Sequence, residues 1–233
     1  MKGEHGRKPT ATVLMGDGAC DRGGSCCDIS RKEIQDLIVR HCSPTLADLK
    51  CGNLFKLCSS LHDPQEVIAD IEGRIADKGV RLRTIRTSDG GLLLYVYRPD
   101  RIMGRLKDPE TERFLIDAGY DLSGGTPLVD QLVSRFETGI PHEIGVFLGY
   151  PIGDVIGYIE NKGRNCLCLG CWKAYSDPEN AMKAFAMLKK CRRVYEKCHS
   201  NGTSLERLTV RTRHQGTVAS CDSPLTCGQR RSC

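Results

Sequence analysis

A chain of 233 residues with 39% hydrophobic content is long enough for one sizeable core and sits within the usual size of a single domain. No stretch approaches the roughly 18 consecutive apolar residues that a membrane span requires, and Met1 to Lys8 lacks a charged-then-apolar export profile, so a cytoplasmic protein without a membrane segment is expected. The net charge of +5 is no nucleic-acid footprint: residues 28–200 carry 25 Lys and Arg against 24 Asp and Glu, and most of the excess lies in 201–233.

The fourteen cysteines read as reduced thiols rather than a disulfide framework, because a chain of this size needs no covalent staples and several cysteines fall at helical core positions. Residues 1–27 and 201–233 mix Gly, Ser, Asp and Arg without apolar periodicity and read as disordered flanks around one domain, 28–200. Six cysteines lie in the flanks, at Cys20, Cys26, Cys27, Cys221, Cys227 and Cys233, with no regular metal-finger spacing.

In chain order, Ile34, Leu37 and Ile38 predict a short amphipathic helix ending near His41. Ser43 as N-cap and Pro44 at the first helical position predict a second, with Cys51 and Cys58 flanking Leu54 on one face. Asp63-Pro64 opens a third, with the stripe Val67, Ile68, Ile71 and Ile75, stopped at Gly79. Residues 80–87 and 92–98 around Ser88-Asp89-Gly90-Gly91 predict an antiparallel hairpin, and the continuous apolar run from Leu92 predicts a central strand.

Residues 100–138 return to helix, broken at Gly119 and at Gly124-Gly125. Pro141 opens a helix to about Leu148 and Pro151 another to about Glu160. Cys168 to Tyr175 predicts a strand that joins the hairpin. Asp177-Pro178 caps a long last helix, on which Ala181, Phe185, Leu188, Cys191, Tyr195 and Cys198 share a face. The sum is an α+β fold, with several helices covering one face of a small, mainly antiparallel sheet.

Three segments carry a resemblance: His41 to Leu46 with Lys50 and Asn53 to Phe55; Pro141 to Gly145 running through Gly149-Tyr150-Pro151 to Asp154-Val155; and Glu160 to Gly163 followed by Cys171 to Tyr175. Together they resemble a bacterial family catalogued as domain of unknown function 3793 (DUF3793), over most of residues 35–197, with Ala174 standing where Val is expected. The resemblance implies a cytosolic protein of anaerobic bacteria and a link to iron or flavodoxin systems. It also implies Lys50, Tyr150, Trp172, Lys173 and Tyr175 as substrate-binding residues.

Three constellations can carry chemistry. Cys42 precedes the expected helix start at Ser43-Pro44, where a helix dipole lowers a thiol's pKa, and the bland reading is packing at a helix join. His142 and Glu143 follow Pro141 at a second helix start, which suits a neutral imidazole as base or ligand with Glu143 orienting it; capping is the alternative. Cys166, Cys168 and Cys171 can share iron or zinc if Cys191 or His199 supplies a fourth ligand, although a second cysteine knuckle is missing.

The leading expectation is therefore a thiol site with Cys42, His142 and Glu143. A non-enzymatic metal-handling protein is the rival. Glu143 to Glu160 also has the outline of a helix-turn-helix, but Gly153, Asp154 and Gly157 stand where a reading helix presents Arg, Lys, Asn or Gln.

Overall fold

The computed structural model describes residues 30–57 and 64–212. Its first helix, α1 (Arg31–Leu46), opens on a reciprocal cap: Glu33 N donates to Ser30 Oγ at 3.2 Å, and Ser30 N donates to the Glu33 carboxylate at 2.9 Å. α1 runs unbroken through Pro44, correcting the two helices expected there. Proline forfeits one helical hydrogen bond, and at the last turn that loss is small.

Residues after α1 form not a helix but strand β1 (Gly52–Leu57). After α2 (Gln65–Ile75) and a 3-10 turn at Ala76–Lys78 come β2 (Arg81–Arg86) and β3 (Leu92–Tyr97), which pair antiparallel in the hairpin expected from the turn residues. Asp89 Oδ1 accepts from Gly91 N at 3.2 Å at its tip. β3 is central in the order β1-β3-β2, so the third strand of this sheet is β1 and not the segment around Trp172. That segment makes a separate two-stranded ribbon, β4 (Cys168–Leu169) with β5 (Lys173–Ala174).

Helices α3 (Pro99–Arg105), α4 (Pro109–Asp117), α5 (Leu128–Arg135), α6 (Ile144–Phe147), α7 (Ile152–Glu160), α8 (Pro178–Ser200) and α9 (Leu205–Leu208) complete the fold. They cover both faces of the sheet rather than one, because alternate strand residues feed two cores. Phe55, Leu57, Leu92, Leu94 and Val96 meet α1, α2 and α9; Leu54, Ile85, Leu93 and Tyr95 meet the α3–α7 side. α8 serves both, placing Phe185 and Leu188 in one core while Tyr195 packs against the other. The architecture is α+β.

The packed chain continues past residue 200, where a tail was expected: Leu205 and Leu208 are buried, and Val210 N donates to Leu46 O at 2.9 Å. Cys20, Cys26, Cys27, Cys58, Cys221, Cys227 and Cys233, and the helix start at Asp63, lie outside the described residues. Among the described residues no helix is long and apolar enough to cross a membrane.

Candidate functional site

The site begins with a turn. At the end of α1, Asp48 adopts φ +57°, a left-handed conformation that Asp tolerates better than most residues. Arg101 Nε donates to its carboxylate at 2.6 Å. Arg98, wholly buried, donates to the buried carbonyls of the helix end, Thr45 O at 2.6 Å and Leu46 O at 2.9 Å. The pinned turn delivers Lys50 inward immediately before β1. Lys50 is 9% exposed, with Nζ 4.8 Å from the centre of the Tyr150 ring.

Tyr150 is held by its own turn. Gly149 has φ +80°, and a Cβ there would meet Cys51 N at 3.1 Å, so the Gly149-Tyr150-Pro151 corner needs glycine for both conformation and clearance. The Tyr150 ring stacks on Trp172 with centroids 5.1 Å apart, and Trp172 meets Phe185 of α8 edge-on at 4.5 Å.

Beneath the stack lies a buried carboxylate. Asp154 of α7, 3% exposed, accepts from Trp172 Nε1 at 2.7 Å, Tyr175 N at 2.7 Å, and Ser176 N and Oγ each at 2.8 Å. Four donors offset the desolvation of this acid and lock the β5–α8 junction to α7. Gly157 allows the approach, since a Cβ there would lie 2.5 Å from Tyr175 Cβ.

Between this junction and Lys50 opens a cleft of about 410 Å³. Lys50, Trp172 and Leu188 line it on one side of its chemistry, and Ser176, Asp177 and Asn180 supply polar groups at the start of α8. Its volume falls in the range of small-molecule sites. No carboxylate oxygen lies within 4.0 Å of Lys50 Nζ among the described residues. Burial pushes the amine down to about 8 from 10.5, against a smaller upward pull from Cys171, Cys42 and Cys51.

The structure brings Lys50, Tyr150 and Trp172 together, three of the five residues implied by the resemblance. Lys173 and Tyr175 lie on the far side of the stack. Lys173 Nζ donates to Gly163 O at 2.6 Å, and the Tyr175 hydroxyl is buried without a hydrogen-bond partner among the described residues. Lys173, His142 and Tyr158 border a cavity of about 20 Å³, room for about one water.

The expected thiol site has a different geometry. Cys42 lies inside α1, fully buried with Ile34, Ile38 and Leu46 in one core, so it does not stand at a helix start, and burial drives its thiol well above the ordinary range. His142 is exposed on the other side of the sheet, its ring 5.6 Å from Tyr158. Glu143 does not orient it: its carboxylate accepts from Arg135 Nη1 and Tyr120 Oη, each at 3.3 Å. The helix after Pro141 is only the single turn α6, which leaves little dipole to act on either residue.

Nor do the cysteines of the ribbon converge. Cys168 Sγ points toward Pro178 O at 3.9 Å, while Cys171 sits in the β4–β5 turn under the influence of Lys50, and among the described residues no three His, Cys, Asp or Glu side chains are arranged to hold a metal ion. Cys191 and Cys198 are half-buried rather than core residues. α7 spends its first turn on Asp154 inside the protein, so the helix-turn-helix outline has no reading helix.

Sequence reasoning missed Asp154 as an anchor and Ser176, Asp177 and Asn180 as cleft residues. A signal for the first existed, since Asp154 is the lone charge between Ile152 and Ile159 in an otherwise apolar helix. The sequence model of a family described as "Protein of unknown function (DUF3793)" matches residues 38–209. The chain belongs to this family. The DUF3793 match begins within α1 and ends after α9, and so takes in Lys50, Tyr150, Asp154, Trp172 and the whole cleft. No curated protein and no solved structure shows a significant match to this DUF3793 chain.

Proposed function

We propose that the protein binds a small molecule in the cleft beside α8, with Lys50 as its polar anchor and Trp172 as its apolar wall. One observation carries the reading: a lysine that is only 9% exposed borders a cleft of about 410 Å³ with no counter-ion among the described residues. Burying a lysine without a charged partner costs several kcal/mol, roughly, and no packing need compels it, since a methionine fills similar space without that cost. Such an expense is typical of a binding or catalytic group.

The complementary ligand carries an oxygen acceptor for Nζ, a flat apolar body for Trp172 and Leu188, and a polar substituent for Ser176 or Asn180. The free thiols of the described residues support a reducing compartment, the cytoplasm, as its place of work.

Trp172 is the one tryptophan of the chain, so its emission reports the cleft directly. Titration with small carbonyl and carboxylate compounds is expected to give a saturable change in the wild type and a Kd at least about ten-fold weaker in Lys50→Met, equivalent to 1.4 kcal/mol. A compound panel that leaves Trp172 emission unchanged, or one that binds both proteins equally, contradicts the reading.

A further inference from the structure

The groups around Lys50 are of one kind. Its Nζ lies over the face of Tyr150, and the side chains that pull on it electrostatically are the thiols of Cys171, Cys42 and Cys51. Burial raises the pKa of all three thiols, so each is held in the uncharged form. Among the described residues no carboxylate oxygen lies within 4.0 Å of the amine. Burial against an apolar wall is a condition under which a lysine gives up its proton and becomes a nucleophile.

We propose that Lys50 captures a small aldehyde or ketone bound in the cleft as an imine, an inference that rests on reading the cleft as a ligand site. The Nζ lone pair forms a bond to the carbonyl carbon, and the carbonyl π electrons move to oxygen, which takes a proton as nitrogen releases one. The resulting carbinolamine loses its hydroxyl, with a second proton, as water, while the nitrogen lone pair closes the C=N bond. One water leaves, nothing is oxidised or reduced, and hydrolysis reverses the sequence.

The geometry suits both ends of that step. At pH 7.5 an amine with a pKa of about 8 is roughly one quarter neutral, about 200-fold more than an unperturbed lysine. The protonated imine places its positive charge where the ammonium stood, over the Tyr150 ring, which stabilises either cation. Trp172 and Leu188 take the carbon body of the substrate, while Ser176 and Asn180 meet a hydrogen-bonding substituent. Aldehydes and ketones with an apolar or aromatic body and one polar substituent are therefore the substrate class.

Reductive trapping tests this on the intact, reduced protein. Incubation with 4-hydroxybenzaldehyde or 2-oxobutanoate and sodium cyanoborohydride at pH 7.5, followed by mass-spectrometric mapping, should alkylate Lys50 at least about ten-fold faster than exposed Lys189. 4-Hydroxybenzyl alcohol, which lacks the carbonyl, should slow the reaction to the extent that it alters Trp172 emission. Lys50→Arg should lose the adduct while keeping the Trp172 spectrum of a folded protein. Labelling of Lys50 no faster than Lys189 overturns the imine. If Trp172 still responds to the probes in that case, the binding reading stands alone; if it does not, both fall.

Discussion

The two faces of the central sheet are built from the same strands and differ in what they bury. Toward α1, α2 and α9 the hydrophobic core is mainly aliphatic: Ile34, Ile38, Leu46, Ile71, Ile75 and Leu94 pack with Phe55, and Cys42 sits among them as a small hydrophobe, while the buried Arg98 closes the end of α1. The opposite face extends into Tyr150, Trp172, Phe185 and the buried Asp154, and Lys50 stands at its edge. One face supplies stability by burying apolar area, whereas the other holds aromatic and charged groups in a fixed arrangement at a cost. The polar groups on the second face divide further: Asp154 is fully hydrogen-bonded and structural, while Lys50 has no counter-ion among the described residues.

The largest effect should come from the clasp at the end of α1. Arg98 donates to Thr45 O, Leu46 O, Lys78 O, Val210 O and Thr212 Oγ1, joining the ends of α1 and the 3-10 turn to the chain after α9. Arg98→Ala removes five hydrogen bonds at once, although Thr45 O, Leu46 O and Lys78 O keep backbone donors from Asp48, Val210 and Thr212, and it is expected to cost about 3–5 kcal/mol in urea denaturation, with both faces unfolding together. A loss under about 1 kcal/mol breaks the view of Arg98 as the clasp.

Asp154→Ala comes next. It leaves Trp172 Nε1 and two backbone N–H groups without their acceptor, for an expected loss of about 2–4 kcal/mol and a red-shifted Trp172 emission as the stack loosens. A change in stability with the emission unmoved would mean that Asp154 supports the junction without organising the aromatic wall.

Lys50→Met should act in the opposite direction and with smaller size, raising stability by roughly 1–3 kcal/mol at pH 7. The sign follows from proton binding. The folded chain releases the Lys50 proton near 8 and the unfolded chain near 10.5, so between those values the unfolded state binds more protons and rising pH favours the native state. The advantage of the methionine variant is therefore greatest below pH 8 and shrinks toward 10.5. A variant less stable than wild type at pH 7 would mean that Lys50 supports the fold.

The same contrast explains what could be read from sequence. The β2–β3 hairpin was legible because its turn residues and apolar run act locally, and α7 and α8 were legible from Pro151, Asp177-Pro178 and their periodicity. β1 was not: Leu54, Phe55 and Leu57 form a short apolar run that fits helix or strand, and only pairing with β3 decides it. Ser43-Pro44 looks like a helix start, yet it occupies the last turn of α1, where proline is tolerated. In the site, Lys50, Tyr150 and Trp172 were reachable through the family resemblance alone, since a lysine at a turn carries no local mark of burial. Cys42 drew attention through a dipole that the unbroken helix does not offer.

The direct test of the Lys50 account is the ionisation of its amine, followed by NMR in protein labelled with ¹³Cε-lysine and assigned by the signal lost in Lys50→Arg. The account predicts a titration midpoint near 8, displaced when a cleft ligand binds. A midpoint near 10.5, unaffected by any compound that changes Trp172 emission, would make Lys50 an ordinary solvated lysine and contradict its role in the cleft.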